Sequence, residues 1–135
     1  MNSRLTIIQL EELQDLADKE KYVFINFPDE YSIKVIPFFE KIGKKERNDL
    51  VKLFYQLTNI EIMIDDFVGK IHLVLLKILM DGEKNNIIVS NVGLSNNSYT
   101  FWIENLSKLF NNFDNKNLII LENIFNTPDF KYTEK

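Results

Sequence analysis

Apolar residues recur along this chain at intervals that change from segment to segment, and those intervals predict its elements. Between Thr6 and residue 20, Leu10, Leu13, Leu16 and Ala17 share one helical face, with Glu11, Glu12, Asp15 and Asp18 on the other. Thr6 and Gln9 stand where a capping box would, the hydroxyl accepting from a free backbone N–H while the glutamine reaches back. A helix over 6–20 follows. Tyr22-Val23-Phe24-Ile25-Asn26-Phe27 is rich in aromatic and β-branched residues and stops at Pro28, so it reads as a short buried strand.

Segment 28–42 has two readings. Pro28, Asp29 and Glu30 suit a first helical turn, and Tyr31, Val35, Phe38, Phe39 and Ile42 keep helical spacing, with Pro37 kinking the helix. The rival is a hairpin in which 32–36 returns against 22–27. The helix is preferred, with Gly43 as its left-handed stop. Leu50, Leu53, Phe54 and Leu57, at i, i+3, i+4 and i+7, predict an amphipathic helix over about 46–58.

From Ile60 to Met80 apolar residues cover nearly every helical face, the mark of a buried helix, and Asp81-Gly82 closes it. Two strands are the alternative, because Ile60, Ile62 and Ile64 alternate and Gly69 can mark a bend. Residues 86–92 predict a short strand or an extended connector. Ser98 caps a helix over 99–113, with Trp102, Leu106, Leu109, Phe110 and Phe113 on one face. Residues 118–125 form a short helix or strand ahead of Pro128. The expected fold is mainly α: one domain, a bundle of five or six helices around a buried central helix at about 60–80, with a small β element from 22–27 and 86–92. The alternative is α+β. Leu13, Phe24, Leu53, Phe54, Phe67, Ile71, Leu75, Leu106 and Phe110 are the expected core.

Composition then narrows the chemistry. The 135 residues include one histidine, no cysteine and four dispersed glycines. A thiol nucleophile, a disulfide framework, a zinc ribbon and a glycine-rich phosphate loop are all excluded. The only histidine, His72, lies in the apolar run Ile71-His72-Leu73-Val74-Leu75-Leu76 and reads as a half-buried residue with a hydrogen-bonded ring. Glu61, Asp65 and Asp66 are the nearest approach to an acidic cluster. On a continuous helix His72 lies about 10 Å beyond Asp65, too far to share a metal. Gly69 also stands where a Glu-x-x-His metal motif needs its glutamate. No catalytic, cofactor-binding or metal-ligating residue is expected, and no cofactor.

The net charge of −4 opposes nucleic-acid binding, which favours a basic face. Lys41, Lys44, Lys45 and Arg47 form the one local basic cluster, diluted by Glu40 and Glu46 and read as a solvated loop. No apolar run approaches the roughly twenty residues of a membrane span, and the first residues lack a signal-peptide shape. The expectation is a cytoplasmic protein without membrane contact. Tyr99, Phe101 and Trp102 offer an aromatic anchor of the kind that carries interface energy.

The expected function is a non-enzymatic protein-binding module, in its most concrete form an acidic inhibitor or immunity-type protein covering a basic partner. Asp29, Glu30, Asp65, Asp66 and Tyr99 are its candidate contacts. The second reading is a small homo-oligomeric regulatory or structural subunit, with surplus apolar residues of 60–80 as the self-association surface. The third is a carboxylate-dependent enzyme, with Glu61, Asp65 and Asp66 opposed by Glu104 or Glu122.

Overall fold

The computed structural model describes residues 4–8, 22–25, 32–82, 85–90 and 96–121. Its strands are β1 (Arg4–Ile8), β2 (Tyr22–Ile25), β3 (Ser32–Ile33), β4 (Asn86–Ser90) and β5 (Asn117–Leu121). They form one sheet in the order β1-β5-β4-β2-β3, and every neighbouring pair is parallel. Four helices accompany it among the described residues: α1 (Val35–Lys41), α2 (Lys44–Thr58), α3 (Phe67–Asp81) and α4 (Asn96–Phe110). This α/β arrangement overturns the expected bundle of five or six helices. The α+β alternative has the mixture of elements but not the parallel sheet.

The sheet forms because β4 and β5 are apolar at successive positions, and a strand of that kind needs cover on both faces. Ile87, Ile88, Val89 and Ser90 are all buried, as are Leu118, Ile119, Ile120 and Leu121. The register lines up Leu5, Leu118, Ile87 and Val23 in one row and Ile120, Val89 and Ile25 two residues on. These rows pack with the helices in the main core. Ile119, Ile88 and Phe24 form the row between them, pointing to the opposite face.

Several expected elements change. Residues 4–8 are a strand on β5, with Thr6 opposite Ile119, so the helix start at Thr6 fails. Residues 9–21 of that expected helix, Leu13 among them, lie outside the described residues. Pairing along β5 satisfies the backbone of 4–8 and overrides the capping pattern. Segment 32–33 does pair with β2, but in parallel, so the hairpin fails too. Pro37 is the third residue of α1, where its missing N–H removes no helical bond, and the expected mid-helix kink disappears. Gly43 is extended and precedes α2, while Gly82 and Asn59 are the left-handed caps of α3 and α2.

The expected central helix begins seven residues late, at Phe67. Ile60, Ile62 and Ile64 are turned inward while Glu61, Met63 and Asp65 are exposed, the alternation of an extended strip. The strip lies against the first turn of α3 at Gly69. A Cβ there would stand 2.0 Å from the Met63 carbonyl oxygen, so only glycine fits. From Phe67 onward the buried-helix expectation holds: Ile71 to Leu76 and Leu79 are all buried, with α1, α2 and α4 around them. Of the remaining expected core, Phe24, Phe54, Leu106 and Phe110 are buried, and Leu53 and Phe67 pack partly buried against the cluster. No helix among the described residues is long and apolar enough to cross a membrane.

Candidate functional site

Connectivity sets where a site can form. α3 leads into the start of β4, and α4 follows from its end, so both helices run against the strands. Their N-terminal turns therefore meet at the carboxyl edge of the sheet. The chain leaves β2 toward β3 on one side and β4 toward β5 on the other, which makes β2/β4 the switch point where open α/β sheets place ligands.

A pocket of about 470 Å³ lies between the first turns of α3 and α4. Strip 61–63 and the first turns of α3, from Asp66 to His72, form one wall, and Ser98 and Phe101 of α4 form the other. Ile62, Phe67, Val68 and Phe101 make it mainly apolar. Its mouth carries two exposed large apolar side chains, Met63 at 60% and Phe101 at 51%. The exposed acids Glu61 and Asp66 line it as well, and Asp65, also exposed, adjoins them.

His72 contributes the one buried ring. It is fully buried, not half-buried. Nδ1 lies 2.8 Å from the Val68 carbonyl oxygen, which can only accept, so Nδ1 carries the proton and donates. Nε2 is then a bare acceptor, buried and without a hydrogen-bond partner. The Phe54 and Phe101 rings stand nearly perpendicular to the imidazole, at centroid distances of 5.4 and 6.4 Å. Burial among them pushes the imidazole pKa down to about 4, against the smaller opposing effect of the Val68 bond. At neutral pH the His72 ring is thus uncharged and sealed behind the pocket lining, while exposed carboxylates border the pocket.

The structure brings some expected site residues together. Asp66 lines the pocket and Asp65 sits beside it, its carbonyl oxygen accepting from Lys70 Nζ at 3.4 Å. Tyr99 is half-buried on α4, its ring 6.1 Å from that of Trp102, and does not line the pocket. Asp29 and Glu30 lie outside the described residues. Of the aromatic trio, Trp102 is wholly buried and Phe101 is the exposed member. Phe101 belongs to the expected aromatic anchor, whereas Met63 and His72 escaped the sequence-based contacts because the fold-back at Gly69 that gathers them is a long-range packing event.

The basic cluster has a structural use at Arg47. Its Nη2 donates to the Phe39 carbonyl at 3.0 Å, and the guanidinium lies 4.2 Å from the Phe39 ring centroid. Among the described residues the acids expected for catalysis do not face one another across the pocket: Glu61 and Asp66 come from one segment and Glu104 lines no part of it, while Glu122 lies outside the described residues. Among the described residues no group of three or more His, Cys, Asp or Glu is placed to hold a metal. Comparison with family models, with curated proteins and with solved structures finds no match to this chain.

Proposed function

We propose that this chain is a protein-binding module whose docking face is the mouth of the α3–α4 pocket, and that its partner is basic at that face. The observation that carries the reading is the combination of Met63 and Phe101, both exposed, at a concave apolar pocket bordered by Glu61, Asp65 and Asp66. Methionine and aromatic side chains seated in or beside a pocket supply most of an interface's energy, and a charged rim supplies orientation and encounter rate. The segment that motivates self-association has most of its apolar residues in the core, from Ile71 to Leu76 and at Leu79. No specific observation favours the homo-oligomer.

The test is site-specific photo-crosslinking in cells of the source organism. A benzophenone side chain replaces Phe101 in one variant and Tyr55, exposed on α2 outside the pocket, in another. A discrete adduct from position 101 alone, lost when Asp65 and Asp66 become lysine, is expected. Equal labelling from both positions, or none, contradicts the reading.

A further inference from the structure

The α3–α4 pocket separates charge from apolar surface by depth. Ile62 is buried and Phe67 and Val68 are half-buried, whereas Glu61, Met63, Asp66 and Phe101 are exposed around the mouth. Ser98 of α4 adds one small polar side chain to the lining. The carboxylates at the mouth are uncommitted. Asp66 is the N-cap of α3, yet its side chain makes no capping bond to that helix. Lys70, one turn on, is directed to the Asp65 carbonyl oxygen at 3.4 Å and to the Phe39 ring, 5.6 Å from its centroid. Among the described residues neither Glu61 nor Asp66 is held in an ion pair. Carboxylates left without a counter-charge beside an exposed aromatic ring set the chemistry of what docks there. The cation belongs at the mouth and an uncharged apolar side chain inside, because a charge carried past the mouth would lose its water with no carboxylate beside it.

We infer that the pocket reads an arginine set next to an apolar side chain in the partner protein. The apolar side chain enters against Ile62, Val68 and Phe101. The guanidinium lies over the exposed Phe101 ring with its N–H groups directed at Glu61 and Asp66. Arginine fits this mouth better than lysine for two reasons. Its planar, weakly hydrated group stacks on an aromatic face, and its fork of donors serves more than one carboxylate oxygen at once. An ammonium is a compact, strongly hydrated point charge that gains less from the ring. The inference rests on the protein-binding reading, and it adds which feature of the partner is read.

Short capped peptides test it directly: Arg-Leu-Arg, Lys-Leu-Lys, Arg-Ser-Arg and Glu-Leu-Glu, each titrated into the protein while its nuclear magnetic resonance signals are followed. Arg-Leu-Arg should shift the signals of Val68, Gly69 and Phe101. It should bind about two- to fivefold more tightly than Lys-Leu-Lys, the range of one exposed cation–π contact. Arg-Ser-Arg should bind more weakly than Arg-Leu-Arg because the apolar interior stays unfilled, and Glu-Leu-Glu should bind most weakly. Phe101→Leu keeps an apolar side chain at an exposed position, so the fold should tolerate it, and it should equalise the arginine and lysine peptides. Glu61→Gln together with Asp66→Asn should weaken both basic peptides and flatten their dependence on salt. Equal binding of the arginine and lysine peptides, an arginine preference that survives Phe101→Leu, or silent pocket signals with every peptide at millimolar concentration overturns the inference. A partner crosslinked through position 101 would still stand in those cases. Conversely, Glu-Leu-Glu binding as tightly as Arg-Leu-Arg would overturn the inference along with the basic partner on which it rests.

Discussion

Acid should loosen this protein through one residue. His72 is buried as a neutral ring, with its pKa lowered from 6.5 to about 4. The unfolded chain takes up a proton near pH 6.5, whereas the folded chain resists until about pH 4. The stabilising contribution is therefore fully present above pH 6.5 and is lost as pH falls through that interval. The gap between 6.5 and about 4, at roughly 1.4 kcal/mol per pH unit, caps the loss at about 3 kcal/mol. Between pH 7 and pH 5 alone the loss is about 2 kcal/mol. No second imidazole exists to titrate in that window. Trp102, the single tryptophan and wholly buried, supplies a fluorescence signal for urea unfolding. The unaltered protein should lose about 2 kcal/mol across the window, and His72→Phe should lose far less over the same interval. Charged residues that share the pocket, Glu61 and Asp66, are present in both proteins and cancel in the comparison. A pH-independent midpoint in the unaltered protein, or the same slope in the variant, refutes the reasoning.

Three further outcomes follow from the packing. Gly69→Ala drives a Cβ into the Met63 carbonyl and should cost about 3 kcal/mol or more, or displace strip 60–66, as urea unfolding and heteronuclear spectra of that strip would show. Leu75→Ala empties a wholly buried site and should cost about 2–5 kcal/mol in the same assay; a cost below half a unit would place α3 wrongly. Glu46→Gln removes the ion pair that Lys77 makes from α3 to α2, but both side chains are partly exposed, so thermal unfolding should register less than about 1 kcal/mol.

Much of the helical layer is legible in the sequence. The i, i+3, i+4, i+7 spacing of Leu50, Leu53, Phe54 and Leu57 marks α2, and Trp102, Leu106, Leu109 and Phe110 mark α4, because each helix has one wet face that keeps the period visible. The sheet was harder for the converse reason. β4 and β5 are covered on both faces, so no alternation distinguishes Leu118-Ile119-Ile120-Leu121 from a buried helical turn. At the N-terminus, the β-branched run Thr6-Ile7-Ile8 carried a strand signal that the capping pattern obscured. The pocket depends on strip 60–66 folding back over Gly69. The alternation of Ile60, Ile62 and Ile64 and the lone glycine both hint at this, but only the packed partner, the Met63 carbonyl, explains why a continuous helix loses. His72 was conspicuous as the only histidine, yet its free acceptor follows from Val68 lying one turn before it and from the α4 wall, neither of which a local pattern specifies.

The central claim is that α3 buries His72 as a neutral ring with a bare Nε2 beside the pocket, and the tautomer of His72 tests it most directly. A long-range proton–nitrogen correlation spectrum at pH 7 distinguishes a protonated from a bare ring nitrogen at each position. The account predicts a neutral ring with the proton on Nδ1, bare Nε2, and no change in either signal down to about pH 5. A proton on Nε2, or a ring that charges near pH 6.5, would contradict it.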